Sequence, residues 1–153
     1  MYQYKTEQNL PIDKKEAWLF LSNPKNLKTI TPDYMGFTII SGAERKMFPG
    51  QIIQYMLTPL LGIPFRWVTE ITHVEKGHYF VDEQRFGPYV FWHHKHFIEV
   101  IPNGVKMIDI VDYKLPLGIF GRFGHWLFVR KKVKAIFDYR EKKLESIYGA
   151  YKK

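Results

Sequence analysis

The chain has 153 residues, of which 46% are hydrophobic and 17% aromatic, and its formal net charge at pH 7 is +8. This length predicts one domain that covers residues 1–153 and buries a substantial core. The absence of cysteine excludes disulfides and thiol chemistry. Neither a signal-peptide pattern nor an apolar run of roughly 20 residues is found, so we expect a cytoplasmic protein.

The N-terminal region predicts a strand followed by two short helices. Residues 2–10 are a predicted strand, because Tyr2, Tyr4 and Thr6 alternate with Gln3, Lys5 and Glu7. Asp13 is a predicted helix N-cap, because Glu16 follows it in the capping-box arrangement. Pro24 ends this first helix, and Pro32 ends a second short helix that begins near Pro24.

Six further strands are predicted, because apolar alternation recurs between turn residues. They cover residues 37–40, 51–57, 65–75, 78–86, 89–101 and 104–115. The turns between the last four are Lys76-Gly77, Gly87-Pro88 and Pro102-Asn103-Gly104. Residues 58–64 are predicted to form an apolar loop.

A long amphipathic helix is predicted over residues 125–148, where neither Gly nor Pro interrupts the pattern. At the standard rise it would be about 36 Å long, enough to cross a curved sheet. Its apolar stripe recurs at three- and four-residue steps and consists of Trp126, Val129, Val133, Ile136, Phe137, Arg140, Leu144 and Ile147.

Alternation separates the predicted strands into an inward and an outward face. If Asn103-Gly104 is a hairpin tip, then Trp92, His94, His96 and Ile98 lie opposite Tyr113, Val111, Asp109 and Met107. Around the Lys76-Gly77 turn, the same argument places Trp67, Thr69, Ile71 and His73 with Phe86, Gln84, Asp82 and Phe80. This face contains no Lys or Arg, so we expect the long helix to cover it. Its titratable groups must pair, bind water or face a ligand.

Four motifs occur in an order that resembles a known superfamily. They are Asp13-Lys-Lys-Glu-Ala-Trp18, Trp92-His-His-Lys-His96-Phe97 after Gly87-Pro88, Asp109-Ile-Val-Asp-Tyr113, and Ile136-Phe-Asp-Tyr-Arg140. The chain resembles the helix-grip or SRPBCC superfamily, which includes START lipid-transfer domains, pollen-allergen-like proteins and polyketide cyclases. It is similar to the small bacterial ligand-binding members.

The resemblance implies an α+β helix-grip fold. In that fold a curved seven-stranded antiparallel sheet wraps around a long C-terminal helix, and two short helices follow the first strand. It also implies a cavity between the sheet and the helix that takes an apolar or aromatic small molecule.

We therefore expect binding of a hydrophobic small molecule, such as a lipid, polyketide or quinone, for transport or sequestration. The predicted polar contacts are Gln84, His94, His96, Asp109 and Tyr113, and the predicted apolar wall is Trp67, Phe80, Trp92 and Met107. No cofactor and no metal are expected. His94, His96 and Asp109 are nevertheless ligand types that can converge on one ion, with His73 or Asp82 as the remaining candidates.

Three alternatives stay open at this point. An enzyme of the cyclase, aromatase or dehydratase kind would use His94 or His96 as general acid–base, with Asp109 as orienting group. A membrane-surface or protein-interaction module would use the basic residues of the last helix, with residues 115–124 as a gate or membrane contact. A buried network that satisfies itself needs no ligand. Nucleic-acid binding is not expected, because no recognition motif is found. The sequence does not indicate an oligomeric state.

Overall fold

Seven antiparallel strands form one sheet in the computed structural model, which describes residues 1–60, 62–116, 118 and 124–152. The strands are β1 (Tyr2–Leu10), β2 (Thr38–Ser41), β3 (Gln51–Leu60), β4 (Ile63–Glu75), β5 (Tyr79–Phe86), β6 (Phe91–Ile101) and β7 (Gly104–Lys114). Their order in the sheet is β1-β7-β6-β5-β4-β3-β2. The first strand therefore pairs with the last, while the strands from β2 to β7 follow one another as a meander.

Helical segments occupy the N-terminal connection and the C-terminus. Helix α1 covers Lys14–Leu21, and its N-cap is confirmed because Oδ1 of Asp13 accepts a hydrogen bond from the Glu16 amide at 2.8 Å. A 3-10 turn at Pro24–Leu27 lies within the predicted second short helix, and another at Asp33–Met35 follows the Pro32 at which that helix was predicted to end. In the described part of the chain, none of the helices combines the length and the hydropathy needed to cross a bilayer.

The C-terminal helix has two parts. A π-helical turn at His125–Val129 leads into helix α2, Arg130–Tyr148. The side chains of Val133, Phe137, Arg140 and Leu144 are buried, as the predicted stripe requires. Trp126 and Ile147 were also predicted in that stripe, but they are 70% and 43% exposed. The α+β helix-grip fold predicted from the sequence is confirmed.

The register between β6 and β7 agrees with the prediction. Trp92 lies opposite Tyr113, and His96 lies opposite Asp109. His94, His96 and Asp109 are all buried. The alternation therefore assigned the inward face of this strand pair correctly.

The pairing of β4 with β5 departs from the prediction at both ends. The central pairs hold, but one register shift adds Arg85 to β5 and another adds Thr72 to β4. Each added residue reverses the alternation beyond it. As a result His73 and Phe86, which were predicted to face inward, are exposed.

In its described residues, the segment 58–64 is mostly strand and not the predicted loop. Strand β3 continues to Leu60, which lies opposite Ile63 at the start of β4, so these two strand ends pair as an antiparallel hairpin. Residues 117 and 119–123 of the predicted gate lie outside the described residues.

The core lies between the inward face of the sheet and the helices. One core cluster packs against Trp18 of α1 and contains Leu10, Val105 and Leu144, each no more than 1% exposed. A second cluster joins Val111 of β7 to Val133 and Phe137 of α2. Each such side chain contributes roughly 1.5–3 kcal/mol by leaving water. These two clusters fix α2 across the sheet and leave a space beside them.

Candidate functional site

A cavity of about 190 Å³ lies between the sheet and α2. Its wall combines strands β3 to β6, the segment after α1, and one side of α2. The aromatic residues on this wall are Phe20, Phe37, Tyr55, Trp67, Phe80, Tyr89, Trp92 and Phe137. The cavity is therefore mainly apolar.

Trp67 lies at the centre of this aromatic wall. Its ring centroid is 6.2 Å from that of Tyr55, 5.5 Å from that of Tyr89 and 5.4 Å from that of Trp92. The Tyr55 hydroxyl lies 2.6 Å from the Thr69 hydroxyl, so this buried phenol is satisfied. The Trp67 indole Nε1 is buried and has no acceptor among the described residues. The aromatic part of the wall is thus closely packed around a donor that has no acceptor among the described residues.

A group of five buried or half-buried residues, here called the polar cluster, lies beside the aromatic wall. Asp82, His94, His96 and Asp109 come from three adjacent strands, and Arg140 comes from α2. The antiparallel register places Asp82 directly opposite His94, and His96 directly opposite Asp109. Sheet pairing alone therefore brings the two carboxyl groups to opposite sides of the two imidazoles.

Each imidazole of the polar cluster lies between both carboxyl groups. His94 donates from Nε2 to Oδ1 of Asp109 at 3.0 Å, and His96 donates from Nε2 to Oδ2 of Asp82 at 2.8 Å. The other nitrogen of His94, Nδ1, is 3.6 Å from Oδ2 of Asp82. Nδ1 of His96 is 2.8 Å from Oδ1 of Asp109, yet the two are not aligned for a hydrogen bond. Arg140 donates from Nη1 to the same Asp109 oxygen at 3.3 Å.

Burial and the neighbouring charges shift the pKa of each acid and imidazole in the polar cluster. Burial alone would raise the pKa of both carboxyl groups, but Arg140, His94 and His96 outweigh it and hold the pKa of Asp109 well below its usual range. The pKa of Asp82 is lowered despite burial, mainly by its hydrogen bond from His96. Burial and the neighbouring His96 lower the pKa of His94. Burial also acts to lower the pKa of His96, but Asp109 and Asp82 outweigh it and raise that pKa. Below the raised pKa of His96, Arg140 and protonated His96 together offset the charges of the two carboxylates.

Aromatic rings hold the two imidazoles in place. Phe80 stacks on His96 with ring centroids 4.1 Å apart, and Phe137 meets His94 edge-on at 5.6 Å. The two imidazole centroids are 3.7 Å apart. Such positioned imidazoles, with a carboxylate behind them, can orient a polar ligand group, transfer a proton or coordinate a cation.

The structure brings together part of the predicted site. Trp67, Phe80, Trp92, His94 and His96 line the cavity. The other four predicted residues lie away from its wall. The Gln84 amide is bound to the Tyr89 backbone, Met107 is packed in the core under α1, Asp109 lies behind the histidines, and Tyr113 packs between β7 and α2. Direct ligand contact by any of the nine residues stays a prediction.

Two charged residues of the site were missed by the sequence-based assignment. Asp82 was placed on the inward face by alternation and named only as a further candidate metal ligand, not as a ligand-binding residue, and it lines the cavity. Arg140 stood in the apolar stripe of the last helix, where a charged residue at core spacing signals a buried partner. Tyr55 and Phe137 also line the cavity. Nothing in their sequence context distinguishes them from ordinary core residues.

The C-terminal helix carries a second notable surface. Trp126 and Phe128 are 70% and 62% exposed, and Arg130 and Lys131 follow them directly. Apolar rings beside cations suit an anionic membrane surface. Peripheral membrane contact at this place stays a prediction.

Solved structures match the whole fold at low sequence identity. The protein TTHA0849 from Thermus thermophilus has a TM-score of 0.73 at 12% identity, covering 95% of this chain and 99% of that chain. CV1439 from Chromobacterium violaceum has a TM-score of 0.73 at 8% identity, covering 97% and 98%. Ara h 8.0201 has a TM-score of 0.63 at 15% identity, covering 95% and 98%. No protein-family model and no curated protein sequence matches this chain. At these identities the similarity shows a shared fold, in agreement with the helix-grip architecture.

Proposed function

We propose that the protein is a member of the SRPBCC superfamily and binds a small, mostly apolar molecule between the sheet and α2. The observation that carries this proposal is the cavity of about 190 Å³, with an aromatic wall and the polar cluster on one side. Protein interiors are normally packed without voids of this size, so an unfilled space lowers stability. A bound ligand would restore the missing contacts.

The size of the cavity supports a compact ligand. An apolar protein cavity of about 150 Å³ accommodates benzene. A space of about 190 Å³ therefore suits one or two fused aromatic rings or a quinone-like group. A full-length lipid chain would need the wall to open.

The polar atoms of the wall support a ligand that carries an oxygen acceptor. Trp67 and Arg140 both line the cavity, and the Nε1 of Trp67 and the Nε of Arg140 are buried without an acceptor among the described residues. An unmade hydrogen bond at a buried donor costs about 1–3 kcal/mol. A carbonyl, phenolic or carboxylate oxygen on the ligand would remove that cost and set its orientation.

Native mass spectrometry of the purified protein and titration with 2-naphthol test this proposal. We expect a copurified organic mass or, in emptied protein, quenching of tryptophan fluorescence that saturates with one 2-naphthol per chain. The variant Ile136→Trp places a large ring in the cavity wall and should abolish binding. The matched control Ile147→Trp is on the same helix at a position 43% exposed and should bind normally. Empty protein that shows no saturable quenching, or equal binding by both variants, would refute the proposal.

A further inference from the structure

Three metal-ligand atoms converge on the cavity side of the polar cluster. Asp82, His94 and His96 each offer one ligand atom, and these three atoms all lie within 4.8 Å of one another. The Asp82 oxygen is 3.6 Å from the His94 nitrogen and 2.8 Å from the His96 nitrogen. All three residues line the cavity. We propose that Asp82, His94 and His96 bind one divalent transition-metal ion, of which Zn²⁺ is the test case, with an open coordination position in the cavity.

The distances fit a single ion. Donor atoms about 2.0–2.2 Å from one tetrahedral ion lie roughly 3.3 Å apart. The two separations measured from Asp82 Oδ2, 2.8 and 3.6 Å, fall on either side of that value. Metal binding would release to solvent the hydrogen that His96 Nε2 donates to Asp82, which frees that nitrogen to ligate. Small side-chain adjustments would then complete the geometry, and the strands would keep their register.

The orientation of His94 gives a separate reason. Its Nε2 carries the hydrogen that Asp109 accepts, which leaves a lone pair on Nδ1 in the neutral ring. That lone pair faces the Asp82 oxygen at 3.6 Å. Two acceptors that face each other repel, whereas a cation between them turns the contact into two favourable bonds.

Asp109 supplies the support that a metal-binding histidine usually has. It lies behind the imidazoles, away from the cavity, and it is within 3.0 Å of one nitrogen of each ring. Histidines that ligate metals almost always give their other ring nitrogen to such a carboxylate, which fixes the ring and the tautomer. Arg140 donates to Asp109 at 3.3 Å, so the guanidinium is bound to the supporting carboxylate.

This assignment departs from the sequence-based expectation of no metal. The sequence grouped the two histidines with Asp109, while the structure puts Asp82 on the cavity side and Asp109 in the supporting position. Two imidazoles and one carboxylate suit zinc and the neighbouring transition metals better than calcium or magnesium. Three protein ligands leave a position for water or for a ligand oxygen.

The test uses untagged full-length protein that has been dialysed against a chelator. Zn²⁺ is titrated by calorimetry, and Co²⁺ is followed by its visible absorption, which reports coordination by nitrogen and oxygen. We expect one ion per chain with a micromolar or lower Kd. Asp82→Asn, His94→Gln and His96→Gln should each weaken binding by at least about 100-fold, and Asp109→Asn by about 10- to 100-fold.

The outward neighbours provide matched controls. His93 and Glu83 form a similar pair 3.2 Å apart, directly opposite each other on the outer face of β6 and β5. His93→Gln and Glu83→Gln should change the Kd by no more than about twofold, as surface substitutions do. The proposal is overturned if the wild-type protein takes up neither ion, or if the outward variants lose as much affinity as the inward ones. Circular dichroism melting identifies any variant that fails to fold. Even if a variant is lost in this way, the titration of the wild-type protein still shows whether the metal binds. Binding of 2-naphthol by metal-free protein tests the proposed function separately.

Discussion

Buried charge is the main constraint at the scale of single residues. Asp109 is 6% exposed and Arg140 is 8% exposed, so water stabilises neither charge. A buried ion pair contributes little by itself, but removal of one partner leaves an uncompensated charge. The Asp109 carboxylate would then rely on the two imidazoles alone.

Arg140→Met should therefore lower the free energy of unfolding by about 3–5 kcal/mol. The methionine keeps much of the side-chain volume and removes the charge. Urea denaturation followed by circular dichroism measures the change. The control is Lys134→Met on the same helix, because the Lys134–Asp138 pair is exposed and such a pair contributes about 0.3–0.5 kcal/mol. Equal losses in both variants would show that Asp109 does not depend on Arg140.

Trp67 both forms part of the cavity wall and offers a hydrogen-bond donor, and a substitution can separate these two roles. Trp67→Phe keeps an aromatic ring but removes the buried Nε1 hydrogen that has no acceptor among the described residues. Affinity for 2-naphthol should fall about 2- to 10-fold relative to naphthalene, which corresponds to one ordinary hydrogen bond. Fluorescence titration with both compounds measures this ratio. If the ratio is the same in both proteins, Trp67 does not donate to the ligand.

At the scale of elements, alternation predicts a strand pair only where the pairing is regular. Strands β6 and β7 pair without a shift, so His94, His96 and Asp109 were placed correctly. Strand pair β4–β5 contains two shifts, and His73 and Phe86 were placed on the wrong face. The extra residues at the two bulges, Thr72 and Arg85, are of types that also occur in regular strands, so the sequence does not distinguish them. The positions of the bulges depend on how the side chains of both strands pack in the folded protein.

Gly104 shows how closely the first and last strands approach. A Cβ at this position would lie 2.1 Å from the carbonyl oxygen of Leu10, the last residue of β1. Gly104→Ala should push β1 away from β7 and lower the free energy of unfolding by about 1–3 kcal/mol, the usual cost of overpacking. Gly124→Ala is the control, because among the described residues, its own chain neighbours and nearby helix backbone aside, no heavy atom lies within 4 Å of a Cβ there. Urea denaturation should show no loss for this control, and an equal loss in both would contradict the steric argument.

At the scale of the molecule, the order of elements carries more information than any single motif. The strand, short helices, six strands and long helix in sequence are sufficient to predict the helix-grip sheet and its covering helix. The cavity could not be predicted in the same way, because its volume depends on how the segment after α1, the β3–β6 sheet and α2 fit together. The proposed metal site could not be predicted from the sequence either. The sequence does not show that Asp82 lies on the cavity side of the imidazoles and Asp109 on the other side.

A ligand bound in the cavity would couple the stability of the whole molecule to its concentration. A ligand that binds only the folded protein, present at 100 times its Kd, raises the free energy of unfolding by about 2.7 kcal/mol. For a domain of this size each kcal/mol raises the Tm by about 2–4 °C, so 2-naphthol should raise the Tm by about 5–10 °C. Differential scanning calorimetry of emptied protein at increasing 2-naphthol measures the shift. Ile136→Trp, whose cavity is filled, should melt at a temperature independent of 2-naphthol, while Ile147→Trp should follow the wild type. A shift of the same size in Ile136→Trp would place the binding site elsewhere, because mass action stabilises the fold only through the site that the ligand occupies.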